Sequence, residues 1–85
     1  MAIAVPGGIN LIWEPSETDD VAGYIVLRGD AGSATLTPLF EDPVTSPAYR
    51  DDKVTSGARY VYAIVAVDRA GNRSAESNRV EETAQ

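Results

Sequence analysis

Large apolar side chains alternate with polar or small ones in three stretches of the chain, and nowhere do they recur clearly at helical spacing. In Ile9-Asn10-Leu11-Ile12-Trp13-Glu14, the residues Ile9, Leu11 and Trp13 share one strand face, because successive strand side chains point to opposite sides. Pro15-Ser16 stops that strand, since proline has no N–H for a ladder, and the acidic loop Glu17-Thr18-Asp19-Asp20 follows. A second strand spans Gly23-Tyr24-Ile25-Val26-Leu27-Arg28, with Tyr24 and Val26 on one face and Ile25 and Leu27 on the other. Gly29-Asp30-Ala31-Gly32-Ser33 is a turn-rich break. Pro38, Pro43 and Pro47 then cut residues 35–49 into short edge-type pieces around Leu36, Leu39-Phe40 and Ala48-Tyr49. The longest strand is Tyr60-Val61-Tyr62-Ala63-Ile64-Val65-Ala66-Val67, apolar on both faces as a central strand is. A polar loop, Asp68 to Ser74, leads to a last charge-decorated strand within Ser77 to Thr83.

Short strands with turn signals every ~8–12 residues predict an all-β sandwich of about seven antiparallel strands. The 85 residues make one domain, 1-85, near the lower end of what folds alone. The expected core is Ile9, Leu11, Trp13, Tyr24, Val26, Val54, Tyr60, Tyr62, Ile64 and Ala66.

Composition removes most chemistries. The chain has no cysteine and no histidine, which excludes disulfides, thiolate nucleophiles and an imidazole base. A net charge of −6 is the wrong sign for displacing counterions from a nucleic acid or an anionic membrane, so neither is an expected partner. No apolar run approaches the ~18 residues of a membrane span. No basic-apolar-small leader opens the sequence, so an export signal is expected to be removed or to sit on a larger parent.

Four features in order make the chain resemble a fibronectin type III domain from about Ile9 to Val80. They are Trp13 in Leu11-Ile12-Trp13-Glu14-Pro15, Gly23-Tyr24-Ile25-Val26, a tyrosine corner in Val54-Thr55-Ser56-Gly57-Ala58-Arg59-Tyr60, and the bacterial-type loop Ala66 to Ser74. The antibody-type sandwich is disfavoured, because its cysteine pair is missing and Trp13 lies one strand too early. The resemblance implies immunoglobulin-like topology; the chain departs from it where Pro6-Gly7-Gly8 interrupts the lead-in, so the first strand is expected to be abbreviated or to lack its partner residues. By the corner rule, the Tyr60 hydroxyl should bond a backbone group between Val54 and Gly57.

Candidate sites are few. Arg28-Gly29-Asp30 spells an integrin-type adhesion tripeptide, yet it lies at a strand end rather than at a loop tip. The pairs Asp19-Asp20, Glu41-Asp42 and Asp51-Asp52 read as solvated charge, because adjacent strand residues face opposite sides and no calcium loop is present. Asp51 is expected to accept hydrogen bonds in the turn before the corner. Arg69 and Arg73 form the one basic spot and could grip a carboxylate or phosphate. Asn72-Arg73-Ser74 is a formal glycosylation sequon. Ile25, Leu27, Val61, Ala63, Val65 and Val67 fall on the face opposite the core and merge into one apolar patch, which reads either as strand propensity shielded by Arg59 and other long neighbours or as a docking surface for a neighbouring domain or a second copy.

No catalytic, cofactor or metal site is expected. The resemblance implies a non-catalytic, extracellular spacer or protein-interaction module from a larger bacterial secreted or surface protein. The rival is a binder, natural or engineered, using loops 16–22 and 68–74. Those loops are poor in the Tyr and Trp that raised binding surfaces favour.

Overall fold

The computed structural model describes residues 1–14, 21–32, 35–40, 42–77 and 79–85. Its strands, in chain order, are β1 (Ala2–Val5), β2 (Gly8–Ile12), β3 (Val21–Asp30), β4 (Thr37–Pro38), β5 (Ala48–Asp51), β6 (Arg59–Asp68) and β7 (Val80–Thr83). They form two antiparallel sheets, ordered β1-β2-β5 and β4-β3-β6-β7, and the described residues contain no helix. The expected stop at Pro15-Ser16 and the acidic loop through Asp20 lie outside the described residues.

The first strand is short, as expected, but Pro6-Gly7 does not merely interrupt it. Ala2 pairs with Leu11 and Val5 with Gly8, so Pro6-Gly7 is the tight turn of a hairpin. Gly7 takes φ +83°, a value that costs a side-chain-bearing residue strain. The long pair β3 and β6 runs in register from Tyr24 opposite Ala66 to Asp30 opposite Tyr60. Gly23 stands where the next chain segment crosses closely. A Cβ there would lie 2.7 Å from the Pro43 Cβ and 3.0 Å from the Val44 carbonyl oxygen.

Between the sheets lie buried Ile9, Leu11, Val26, Tyr60, Tyr62 and Ala84. Tyr24 is buried as expected, whereas Trp13, Val54, Ile64 and Ala66 are only half-buried. One reason is visible at the end of β6. β7 pairs with it only from Arg59 to Tyr62, so Ile64 and Ala66 have a regular strand, β3, on one side only. The last strand, Val80–Thr83, falls within the expected Ser77 to Thr83. Ser74 and Ser77 finish the ladder instead: their N–H groups donate to the carbonyls of Ala66 and Ile64, and their hydroxyls accept the N–H groups of those residues, each at 2.9 Å. Serine hydroxyls compete for backbone bonds in this way and displace regular strand.

The outer face of β3 and β6 corrects the expectation of an open apolar patch. Ile25, Leu27, Val61, Ala63, Val65 and Val67 do share that face, but all are buried, none more than 8% exposed. Ile25 sits opposite Val65 and Leu27 opposite Ala63, so neighbours shield one another across the strands. Leu36 and Phe40, from the proline-cut segment, pack against this second cluster. The cover belongs to the chain itself.

Candidate functional site

The polar residues with most partners meet at the corner where β5 ends. Asp51 is 3% exposed, the one buried carboxylate among the described residues. The Arg28 guanidinium donates from Nη1 to Asp51 Oδ2 at 2.9 Å and to Oδ1 at 3.2 Å, and to the Lys53 carbonyl at 3.0 Å. The Tyr62 hydroxyl donates to Asp51 Oδ2 at 2.8 Å, and the Lys53 N–H donates to Oδ1 at 3.1 Å. The guanidinium carbon stands 5.2 Å from the centre of the Tyr60 ring. The Tyr60 hydroxyl accepts the Thr55 N–H at 2.8 Å, the tyrosine corner expected from the sequence. Burial, followed by the bond to Asp51 and its charge, pushes the Tyr62 pKa well above the usual phenol value.

This corner ties the two sheets together. Asp51 lies on β5 while Arg28 and Tyr62 lie on β3 and β6, so the contacts bridge the two sheets. It also takes up one residue of the Arg28-Gly29-Asp30 tripeptide. Arg28-Gly29-Asp30 closes β3, with Asp30 exposed and the Arg28 head turned onto Asp51. The ion pair of Arg28 has no local signal in the sequence, because its partner lies 23 residues away. Asp52 is exposed, as the alternation requires, and Asp42 is exposed too. Asp19, Asp20 and Glu41 lie outside the described residues, and no three metal-ligating side chains converge among those described.

The loop after β6 is tied by its first residue. Asp68 Oδ1 accepts the N–H of Asn72 at 2.8 Å and of Ala70 at 2.9 Å, and Oδ2 accepts from Asn72 Nδ2 at 3.1 Å. These bonds, led by the Asn72 N–H, hold the Asp68 carboxyl below its usual range. Gly71, at φ +88°, makes the reversal. Arg69 and Arg73 stand exposed on this ordered loop, and neither forms an ion pair among the described residues. Of the rival loop 16–22, residues 16–20 lie outside the described residues.

A third feature had no sequence signal. Where β2 ends, a cleft of about 280 Å³ opens between the sheets, lined by Met1, Leu11, Trp13, Tyr62, Ile64 and Val80 among others. The Trp13 ring packs edge-on against Tyr24 with centroids 5.6 Å apart, and its buried Nε1–H has no acceptor among the described residues.

No family model matches the sequence. An Fn3-like protein from Clostridium thermocellum superposes with a TM-score of 0.83 at 23% identity, covering 99% of this chain and 85% of that one. The fold is fibronectin type III-like. A β-1,2-glucanase from Parabacteroides distasonis contains the same fold in 12% of its length, with a TM-score of 0.82 and 30% identity over 98% of this chain. By sequence, the fibronectin type III-like chain is 38% identical over 80 residues to an amylopullulanase of Thermoanaerobacter thermohydrosulfuricus, covering 94% of the chain. It is 37% identical over 68 residues to that of Thermoanaerobacterium saccharolyticum. It spans 5% of the length of each of these two relatives, so what it resembles is one small module of a far longer enzyme.

Proposed function

We propose that this chain is a non-catalytic spacer module of a bacterial, extracellular, multidomain enzyme that degrades polysaccharide. The observation that carries the reading is the alignment of 94% of the chain with 5% of an amylopullulanase. The geometry supports it. Met1 lines a cleft with Val80, and the Gln85 side chain donates to the Ala4 carbonyl at 3.0 Å. The two termini therefore leave at opposite ends of the neighbouring β1 and β7, as suits a body inserted in a chain. The polar groups of the corner are spent on bonds that join the two sheets. The test is to offer the isolated domain soluble glucans in affinity electrophoresis and in turnover assays. Unretarded migration and no turnover are expected; retardation, or turnover that survives repurification, would contradict the reading.

A second reading is favoured by one observation: Asp68 orders the loop that holds Arg69 and Arg73 exposed. That arrangement suits an acidic protein partner of the same parent. Loss of interdomain contact in an Arg69→Glu/Arg73→Glu variant would support this role.

A further inference from the structure

We propose that the outer face of the β1-β2-β5 sheet is a self-association surface whose occupant is a second copy of this chain, stacked face to face about a two-fold axis. The inference goes beyond the spacer reading and does not depend on it.

The apolar residues of this face are bare, unlike those on the outer face of β3 and β6. Met1, Ile3 and Ile12 are 73%, 45% and 51% exposed, the three exposed large hydrophobics among the described residues. Register gathers them. Ile3 stands opposite Asn10, and Met1 and Ile12 exchange both backbone bonds, at 2.7 and 2.9 Å. Ala48 continues the Met1–Ile12 row on β5 and is exposed too. Alternation turns all of them outward, away from buried Ile9 and Leu11. Single exposed hydrophobics need no partner, but a contiguous strip of them marks a contact surface.

Charge points to the partner. At one end of the strip the Arg50 side chain lies back across β2. A Cβ on Gly8 would meet its Nε at 3.2 Å and its guanidinium carbon at 3.4 Å, and its Nη2 donates to the Pro6 carbonyl at 3.2 Å. The guanidinium is therefore held level with Gly8. At the other end, alternation along β2 carries Glu14 onto the same face, where it is exposed. Neither Arg50 nor Glu14 forms an ion pair among the described residues. From Gly8 to Glu14 the strand spans about 20 Å, at about 3.3 Å per residue.

A two-fold axis lying in the interface and crossing β2 at Leu11 sets each Arg50 against the other copy's Glu14. The same rotation lays Met1 over Ile3 and Ile12 over Asn10, so the strip covers itself. Opposite charges at the two ends of an apolar middle make the face self-complementary, as an isologous interface requires. A parallel stack would oppose like charges at both ends, so the charges also set the orientation. Three strands about 4.8 Å apart give a footprint of only about 14 by 23 Å, so the dimer is weak, with a dissociation constant on the order of 0.1–1 mM.

The test is sedimentation velocity, with NMR diffusion, on the 85-residue chain from about 0.02 to 2 mM. Salt is kept at about 0.15 M, which screens the net charge of −6 on each copy. Wild type should pass from monomer toward dimer across this range. Arg50→Glu and Glu14→Arg each place like charges at both contacts, and each should weaken association at least about fivefold. Mixed in equal amounts, these two variants oppose unlike charges at both contacts and should associate at least as well as wild type. Ile12→Lys should stay monomeric throughout. If loss of the Pro6 tie unfolds Arg50→Glu, then Glu14→Arg and Ile12→Lys carry the test alone. Single variants that associate like wild type, or a mixture of folded variants no tighter than either alone, would overturn the proposal. So would a wild type that remains monomeric at the highest concentration, which would leave the face to solvent or to a different domain.

Discussion

The Tyr62 hydroxyl donates to Asp51 Oδ2 at 2.8 Å, a buried bond that joins β6 of one sheet to β5 of the other. The same oxygen accepts from Arg28 at 2.9 Å, so a single carboxylate bridges both sheets. Removing one partner of a buried pair leaves the other uncompensated, and the cost exceeds the worth of the pair itself. Asp51→Ala should therefore destabilise by about 3–5 kcal/mol. Tyr62→Phe, which deletes one bond, should cost about 1–2 kcal/mol. Urea unfolding of both variants measures the difference.

The same bond sets a response to alkali. The folded-state pKa of Tyr62 lies above its unfolded value, so the folded state holds this proton more tightly. The stabilisation is complete below about pH 10, the unfolded phenol value, and is lost as pH rises toward the folded one. Thermal melts above about pH 10 should show wild type losing Tm more steeply than Tyr62→Phe.

Asp68 responds to acid with the opposite sign. Its folded pKa is depressed, so the loop ties are present above the ordinary carboxylate range and are lost as pH falls through the folded value. In NMR titration the Ala70 and Asn72 amide signals should move together below the usual range, and Asp68→Ala should abolish that step. Amide signals that shift independently would break the link.

On the covered outer face, Val65→Lys should cost about 3 kcal/mol or more, because it puts an unpaired ammonium into a site only 7% exposed. A variant as stable as wild type in thermal melting would show the face to be open after all.

What the sequence revealed and what it hid follow from the nature of each signal. The two-residue period assigned Ile9, Leu11, Val26, Tyr60 and Tyr62 to the inner face, because alternation is a local property of the strand. It also grouped Ile25 with Val65, but it could not show that Leu36 and Phe40 return to pack on them. That segment is broken by prolines and carries no period. Asp51 was legible as a hydrogen-bond acceptor, whereas its pairing with Arg28 depends on how two sheets stack.

Replacing the module in its parent enzyme by a Gly/Ser linker of matching reach tests the spacer role most directly. The measurement is small-angle scattering of the whole enzyme beside kcat/KM on a soluble oligosaccharide. Spacing by a rigid body 38 Å long predicts a broadened distance distribution with kcat/KM unchanged. An unaltered distribution, or a collapse of kcat/KM on the small substrate, would contradict it.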